Sequence, residues 1–409
     1  MSARIASATR MDAAALRTRL HALCALLDDG GALLEAVPFR DPDPPWLQTA
    51  PALAARLLGL ADAELDHLEL DPDALLELLA TAEPGLRDLF RTLAECQAVA
   101  DWPDLQTPRP GDAAPRAPAT EGISERKAAQ VRAFAAAQPQ ASAPLVEWCS
   151  GKGHVGRLLA TRDAVDARCL ERDARLHPRD GADPRLRFES CDVLLDHPPL
   201  HAHERVVALH ACGRLHEALI ERVASERVHS VALAPCCYHL LGAGADAWRA
   251  MSRSGPQAPL AIDLVRLAVR ETVTAPARVR RARRVERAYR LAFDRLQRDL
   301  RGIDAPLPLP SLPTAAVANG FAAFCAQAAR LRGLPLPDGL DLQPWLTLGE
   351  RLEARTRRLD LARAGFRRVL ELRMVLDRAL CLAEAGYEVG VGRFCARALT
   401  PRNLLIRAV

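Results

Sequence analysis

Leucine and alanine recur at three- and four-residue spacing through the first hundred positions. MDAAALRTRLHALCALLDD and DPDALLELLATAEPGLRDLFRTLAEC each carry one apolar face, which predicts helices. Asp71 fits the N-cap of the second run, with Pro72 at the first helical position. Positions 103–118, PDLQTPRPGDAAPRAP, lose the periodicity and gain proline, so they predict a linker. SERKAAQVRAFAAA is helical, and then the period changes. Short apolar runs at 144–149 (PLVEWC), 166–171 (DARCLE), 205–210 (RVVALH) and 229–235 (HSVALAP) alternate with helical segments, and LRFESCD (186–192) fits one more strand. That alternation predicts an α/β fold: a doubly wound parallel sheet with helices on both faces. From about 262 to 385 the helical period returns, broken by APLPLPSLP (305–313) and LPLPDG (334–339). Its last helix ends at Gly386, a left-handed cap. YEVGVGRFC and PRNLLIRAV then predict two closing strands. The expected organisation is a helical N-terminal region (1–102), a linker (103–118), an α/β core (119–275), a helical insertion (276–385) and a closing hairpin (386–409).

Composition narrows the class. Across 409 residues, 49% are hydrophobic and 26% charged, which excludes a disordered or fibrous chain. No run of 18 apolar residues is free of charge, so no membrane span is expected. The N-terminus lacks the apolar core of a secretion signal. Eleven cysteines, odd in number and mostly in apolar runs, read as reduced thiols of a cytoplasmic protein. The net charge of +4 is unevenly spread: residues 1–105 hold 8 Arg and 18 Asp/Glu, net −10, leaving 47 Lys/Arg and 33 Asp/Glu, net +14, for the remainder. An acidic front and a basic body suggest an anionic partner for the body. Only two cations are lysines, Lys127 and Lys152, which suggests positions suited to the smaller ammonium group.

The strongest local chemistry is LVEWCSGKGHVGRLLA (145–160). A buried strand ends at Glu147, and a turn containing Gly151 and Gly153 opens a helix that includes Gly156. Glycines let a ligand approach the backbone, and the helix start offers free N–H groups. In open α/β sheets, ligands sit at the carboxyl ends of the strands. The spacing matches a dinucleotide fingerprint, yet an acid before the turn departs from the nicotinamide pattern and suits a ligand carrying an ammonium group, as S-adenosylmethionine does. Glu171 ends the next strand, where a carboxylate accepts ribose hydroxyls, with Asp173 as competitor. Asp192 follows the third strand and would meet the adenine amino edge.

A second constellation joins ALHACGRLHEAL (208–219) to ALAPCCYHLL (232–241), gathering His210, Cys212, Cys236, Cys237, Tyr238 and His239 at the same sheet edge. A zinc site would use Cys212, Cys236, Cys237 and His239. Adjacent cysteines on a strand point to opposite faces, however, so no metal is expected; a redox pair fails on similar grounds. The preferred reading is the wall of an acceptor pocket, with a small-residue core turn as its rival. Residues 276–301 add 10 arginines against 3 acids, a face able to hold RNA phosphates, with Tyr289 and Phe293 placed to stack on bases. The alternative is a solvated amphipathic helix with those aromatics packed inward.

The ordered blocks EWCSGKGHVG, LHACG and CCYH resemble one group of class I methyltransferases, that of methyltransferase-like protein 25 and of the methyltransferase domain of glutathione S-transferase C-terminal domain-containing protein. A related Cys-Cys-His-His block occurs in a tRNA 2′-O-methyltransferase family. GISERKAAQV (122–131) and TPRNLLI (400–406) match outer pieces of the same pattern. The resemblance covers roughly 119–275 and 386–409. It implies a seven-stranded Rossmann-like sheet, S-adenosylmethionine as cofactor, and cofactor contacts at Glu147, Gly151, Gly153, Glu171 and Asp192, with Lys127 near the cofactor carboxylate or an acceptor phosphate. A hydroxyl acceptor needs a base, for which His239 and His210 are the candidates, beside Cys236, Cys237 and Tyr238. The Asn/Asp-Pro-Pro-aromatic block of amino-group methylases is missing. RNA, tRNA especially, is the expected acceptor. A small molecule or protein side chain is the alternative, and a non-catalytic RNA-binding scaffold that keeps the fold is a third reading.

Overall fold

The computed structural model describes residues 10–99, 123–178, 183–270 and 275–409; the proline-rich stretch 103–118 lies outside them. Two compact units emerge. The described residues of the first fall within Met1–Asp28, Thr92–Thr274 and Phe366–Val409, and those of the second within Asp29–Arg91 and Ala275–Gly365.

The first unit is built on one sheet. Its strands are β1 (Arg10–Met11), β2 (Leu145–Trp148), β3 (Ala167–Glu171), β4 (Leu186–Ser190), β5 (Arg205–Cys212), β6 (Ser230–Cys236), β9 (Val389–Arg393) and β10 (Leu404–Ala408). A separate two-stranded ribbon joins β7 (Ala247–Trp248) to β8 (Leu260–Ala261). The sheet order is β1-β9-β10-β6-β5-β2-β3-β4. β2 to β6 pair in parallel, and β10 runs antiparallel to both β6 and β9. Seven of these strands form the expected Rossmann-like, mostly parallel sheet; the two-residue β1, which adds antiparallel to β9, was not foreseen because two residues carry no period.

The central strands are apolar because helices cover both faces: all four residues of β2 are buried, and six of seven in β6. Phe134, Leu159, Cys169, Val207, Phe394 and Leu405 share one core, in which Phe134 and Phe394 meet edge to face. The chain runs from β2 outward to β3 and β4, then returns to build β5 and β6 on the other side. The resulting switch point, at the carboxyl ends of β2 and β5, is where an open α/β sheet holds its ligand.

The helix Arg367–Glu384, grouped above with the insertion, belongs to this first unit. It buries 13 of its 18 residues and packs on β9 and β10. Helical periodicity shows that a face is buried, not which core buries it. Within it, Asp377 accepts from the Met251 and Ser252 N–H groups and the Ser252 hydroxyl, and fully buried Arg378 reaches Asp377, Glu217, the Arg249 carbonyl and the face of Trp248.

The second unit is helical. The arginine-rich helix Ala277–Arg301 packs Phe293 and Leu296 against Phe321, Phe324 and Cys325. Tyr289 makes ring contacts with Phe321 and Phe324. Phe293 is therefore a core residue and Tyr289 packs partly buried against that core, which is the inward packing of the amphipathic-helix reading and not a base-stacking face. Four acids of the acidic front are also paired within this unit. Asp43 pairs with Arg355, Asp62 with Arg358, Asp66 with Arg284 and Arg357, and Glu69 with Arg357. Part of the charge asymmetry seen along the chain is thus paired off in space. Among the described residues no helix is long and apolar enough to cross a membrane.

Candidate active site

The turn after β2 follows from its sequence. Cys149, Gly151 and Gly153 all take positive φ, at 55°, 57° and 69°. At Gly153 a side chain would also strike the ring of Phe188, 2.5 Å from the added Cβ, whereas at Gly151 nothing lies within 4 Å. Gly153 is therefore required by packing, and Gly151 by a backbone bend beside open space. The helix His154–Asp163 begins directly after Gly153.

Glu147 does not face that space. Its side chain is buried, with Oε2 accepting from Gly156 N–H at 2.7 Å and lying 3.8 Å from the Cys169 thiol. Burial raises its pKa to about 7, opposed by the N–H groups of Gly156 and Val155. Its carboxyl braces the start of the helix, so the expected contact with a ligand ammonium is replaced by one with backbone. A strand-end acid looks alike in sequence whether it points outward or inward.

Glu171, at the end of β3, accepts from Gly151 N–H through Oε2 and from Asp173 N–H through Oε1, each at 2.9 Å. The two predicted positions Gly151 and Glu171 are thereby joined. Asp192, just past β4, accepts from Leu194 N–H and lies 3.5 Å from Arg172. Cys149 ties this group to the other half of the site. Its thiol is pushed up to about 12, first by burial and then by the charges of Glu171, Cys212 and Asp192. Nothing in the sequence marked Cys149 as central.

On the other side of the switch point, His210 interrupts β5. The pairing with β6 shifts register between Leu209 and Ala211, and His210 itself has φ 63°. Bulges of this kind re-aim a side chain beside a site. His210 Nε2 lies 3.1 Å from Gln130 Oε1, while Gln130 Nε2 donates to the Leu399 carbonyl. That carbonyl fixes the amide, so His210 Nε2 carries the proton and Nδ1 keeps its lone pair. Burial lowers the His210 pKa; Cys237 opposes this, and the nearby cations Lys127, Arg402 and Arg126 add to it. A neutral imidazole follows. Lys127 and Lys152 are both exposed, and Lys127 is thus within electrostatic reach of His210. Gln130 and Arg402 were missed as individual residues, although both lie in blocks that the resemblance covers.

Cys212, Cys236 and Cys237 converge, their sulfurs all within 4.8 Å of one another. Cys212 and Cys236 are register partners on β5 and β6 with sulfurs 3.4 Å apart. The argument from alternating strand faces fails here because Cys236 is the last residue of β6 and Cys237 leaves it at φ 49°. Hydrogen bonds from Cys212 and Cys236, with the positive charge of Arg402, hold the Cys237 thiol far below its ordinary value. Tyr238 is corrected: it is 1% exposed, its hydroxyl donates to the Pro235 carbonyl, and its ring meets His216 edge on, so it lines no pocket. His239 is half-buried, with a buried Nδ1 that makes no hydrogen bond.

Residues 125–244, which hold this edge apart from Leu399 and Arg402, match the model of a family described as a methyltransferase domain. This segment is therefore similar to a methyltransferase domain, and it lies on a Rossmann-like sheet. No curated protein and no solved structure matches the chain.

Proposed function

We propose that this chain transfers the methyl group of S-adenosylmethionine to RNA, with tRNA the favoured class. One observation carries the cofactor reading. Inside the matched methyltransferase segment, an open glycine turn and two carboxylates stand at three successive strand ends. Gly151 leaves room where a Cβ would touch nothing, so the residues fit a nucleoside with an amino-acid tail. Glu171 would accept the ribose hydroxyls, Asp192 the adenine amino group, and Lys127 would face the tail carboxylate. When bound, S-adenosylmethionine supplies an electrophilic methyl group on a sulfonium. The protein's part is to place the acceptor in line and exclude water. His210, neutral with a free Nδ1, is the group suited to take a hydroxyl proton; His239 is the alternative base.

The RNA reading is supported by the surplus of basic residues after position 105, by exposed Arg278, Arg281 and Arg283, and by the resemblance to a tRNA methyltransferase family. A small-molecule or protein acceptor is favoured instead by the inward packing of Tyr289 and Phe293 and by the pairing of Arg284, Arg287, Arg290 and Arg298 with acids. Eleven free thiols suit a reducing compartment, in keeping with a cytoplasmic protein.

The test is transfer of labelled methyl groups from the cofactor into RNA, protein and small-molecule fractions of a cell extract, comparing wild type with Gly151→Arg. Label in ribonuclease-sensitive material, lost in Gly151→Arg, is expected. Label in another fraction sinks the RNA acceptor and keeps the transferase. Cofactor binding without transfer to any fraction leaves a scaffold.

A further inference from the structure

The thiol trio at the ends of β5 and β6 has no task in the chemistry above, and it is held together at some cost. Cys237 occupies the left-handed region, which a residue with a Cβ enters only under constraint from its surroundings, at about 1 kcal/mol or more. Cys236 is 4% exposed, whereas Cys212 and Cys237 remain partly open. Three sulfurs brought within 4.8 Å by two strands and one strained residue form a preformed set of soft donors.

From this convergence we propose that Cys212, Cys236 and Cys237 bind one zinc ion through three thiolates. A tetrahedral zinc–sulfur site with bonds of about 2.3 Å sets its sulfurs roughly 3.8 Å apart. The observed 3.4 Å between Cys212 and Cys236, with the third sulfur inside 4.8 Å of both, needs only small side-chain adjustments to reach that figure. Binding releases the remaining thiol protons to solvent, and three thiolates with one divalent cation leave a net charge of −1. Arg402, whose charge already acts on Cys237, offsets it. Among the described residues only the three cysteines place ligand atoms within 4.8 Å of one another here, so the fourth position is left to water or another exchangeable ligand. Three protein ligands plus one exchangeable position is the pattern of a site that keeps an opening, unlike a closed four-cysteine structural site. A disulfide is the competing fate of the same atoms, but 3.4 Å is far beyond a bonded pair at about 2.05 Å.

The proposal is independent of methyl transfer, and its test uses the full chain without cofactor. The protein is purified under reducing conditions, dialysed against zinc and then metal-free buffer, and its metal content measured. About one zinc per chain is expected, falling below roughly a tenth in Cys212→Ser and Cys237→Ser, whose circular dichroism and cooperative unfolding should match wild type. Cobalt substituted for zinc should show thiolate-to-metal charge-transfer absorption that both variants lose. The idea is overturned if the reduced wild type retains no metal, if the serine variants bind as much as wild type, if cobalt shows no thiolate band, or if peptide mapping of natively isolated protein finds Cys212 and Cys236 already joined as a disulfide. The partly open Cys237 keeps the test decisive even if replacing buried Cys236 prevents folding.

Discussion

Replacing Glu147 by glutamine separates the two roles that its position allows. The carboxyl is buried and accepts from Gly156 N–H, and its pKa stands at about 7 in the folded protein against an ordinary 4.5. Below pH 4.5 both folded and unfolded chains hold the proton, and Glu147 costs nothing. Between pH 4.5 and 7 the unfolded chain releases it while the folded chain retains it, so stability falls as pH rises. Above pH 7 the loss is complete. At 1.36 kcal/mol per pH unit, the gap amounts to about 3 kcal/mol as an order of magnitude. Glutamine keeps an oxygen for Gly156 N–H and cannot ionise. Its unfolding free energy relative to wild type should therefore rise by about 2–3 kcal/mol between pH 5 and pH 8. Urea unfolding of both proteins at pH 5, 6, 7 and 8, followed by tryptophan fluorescence, measures that difference, and other titrating groups cancel between them. Parallel pH profiles for the two proteins would refute the bracing role. So would a cofactor affinity that drops a hundredfold in the glutamine protein with stability unchanged, since the carboxylate would then be meeting a ligand.

Gly153→Ala should destabilise by about 2–4 kcal/mol, since a positive φ and the ring of Phe188 oppose it together, while Gly151→Ala meets only the backbone penalty of about 1 kcal/mol; thermal unfolding compares the two. Arg378→Met should cost about 3–5 kcal/mol in urea unfolding, because buried Asp377 loses its only guanidinium among the described ion pairs and Glu217 is left with Arg214 alone; a loss under 1 kcal/mol would mean that these acids find other partners. Gln130→Leu removes the group that sets the His210 tautomer, so turnover should fall about tenfold or more with cofactor affinity within threefold of wild type; an equal fall in affinity would place Gln130 in cofactor binding instead.

Much of the fold was legible because its signals are local. Strands such as LVEW and SVALAPC are continuous apolar runs, and central position in a parallel sheet is what makes them so. The glycine turn and the strand-end acids Glu171 and Asp192 could be placed on one edge from strand order alone. What stayed hidden depends on direction. Whether Glu147 points at the helix or the crevice, and whether Tyr238 points at the pocket or at His216, turns on a single side-chain rotation that no period records. Charge misled for a related reason. Counting along the chain gave an acidic front and a basic body, but Asp43, Asp62, Asp66 and Glu69 are the partners of arginines some three hundred positions away or little less.

The same limit hides the thiol trio from the sequence, and strain supplies the missing step. On a regular strand, neighbouring side chains alternate between faces, and by that rule Cys236 and Cys237 diverge. Cys149 and Cys237, just past β2 and β6, and His210, inside β5 where its pairing shifts register, each break regularity with positive φ on three neighbouring strands in the sheet. Each such residue costs about 1–3 kcal/mol, so three together consume a sizeable share of the 5–15 kcal/mol by which a typical domain is stable. Chance would scatter such costs among loops, as at His197, or spend them on helix ends, as at Ala164 and Arg227. Three left-handed residues side by side along one edge instead turn a sulfur, an imidazole and a second sulfur away from the faces that alternation would assign them. Replacing Cys237 with glycine tests whether that strain is real: glycine adopts φ 49° freely, so the variant should gain about 1 kcal/mol in urea unfolding while losing its sulfur. A variant less stable than wild type in metal-free buffer would show that the backbone there is held by the thiol's own contacts, not imposed on it by the sheet.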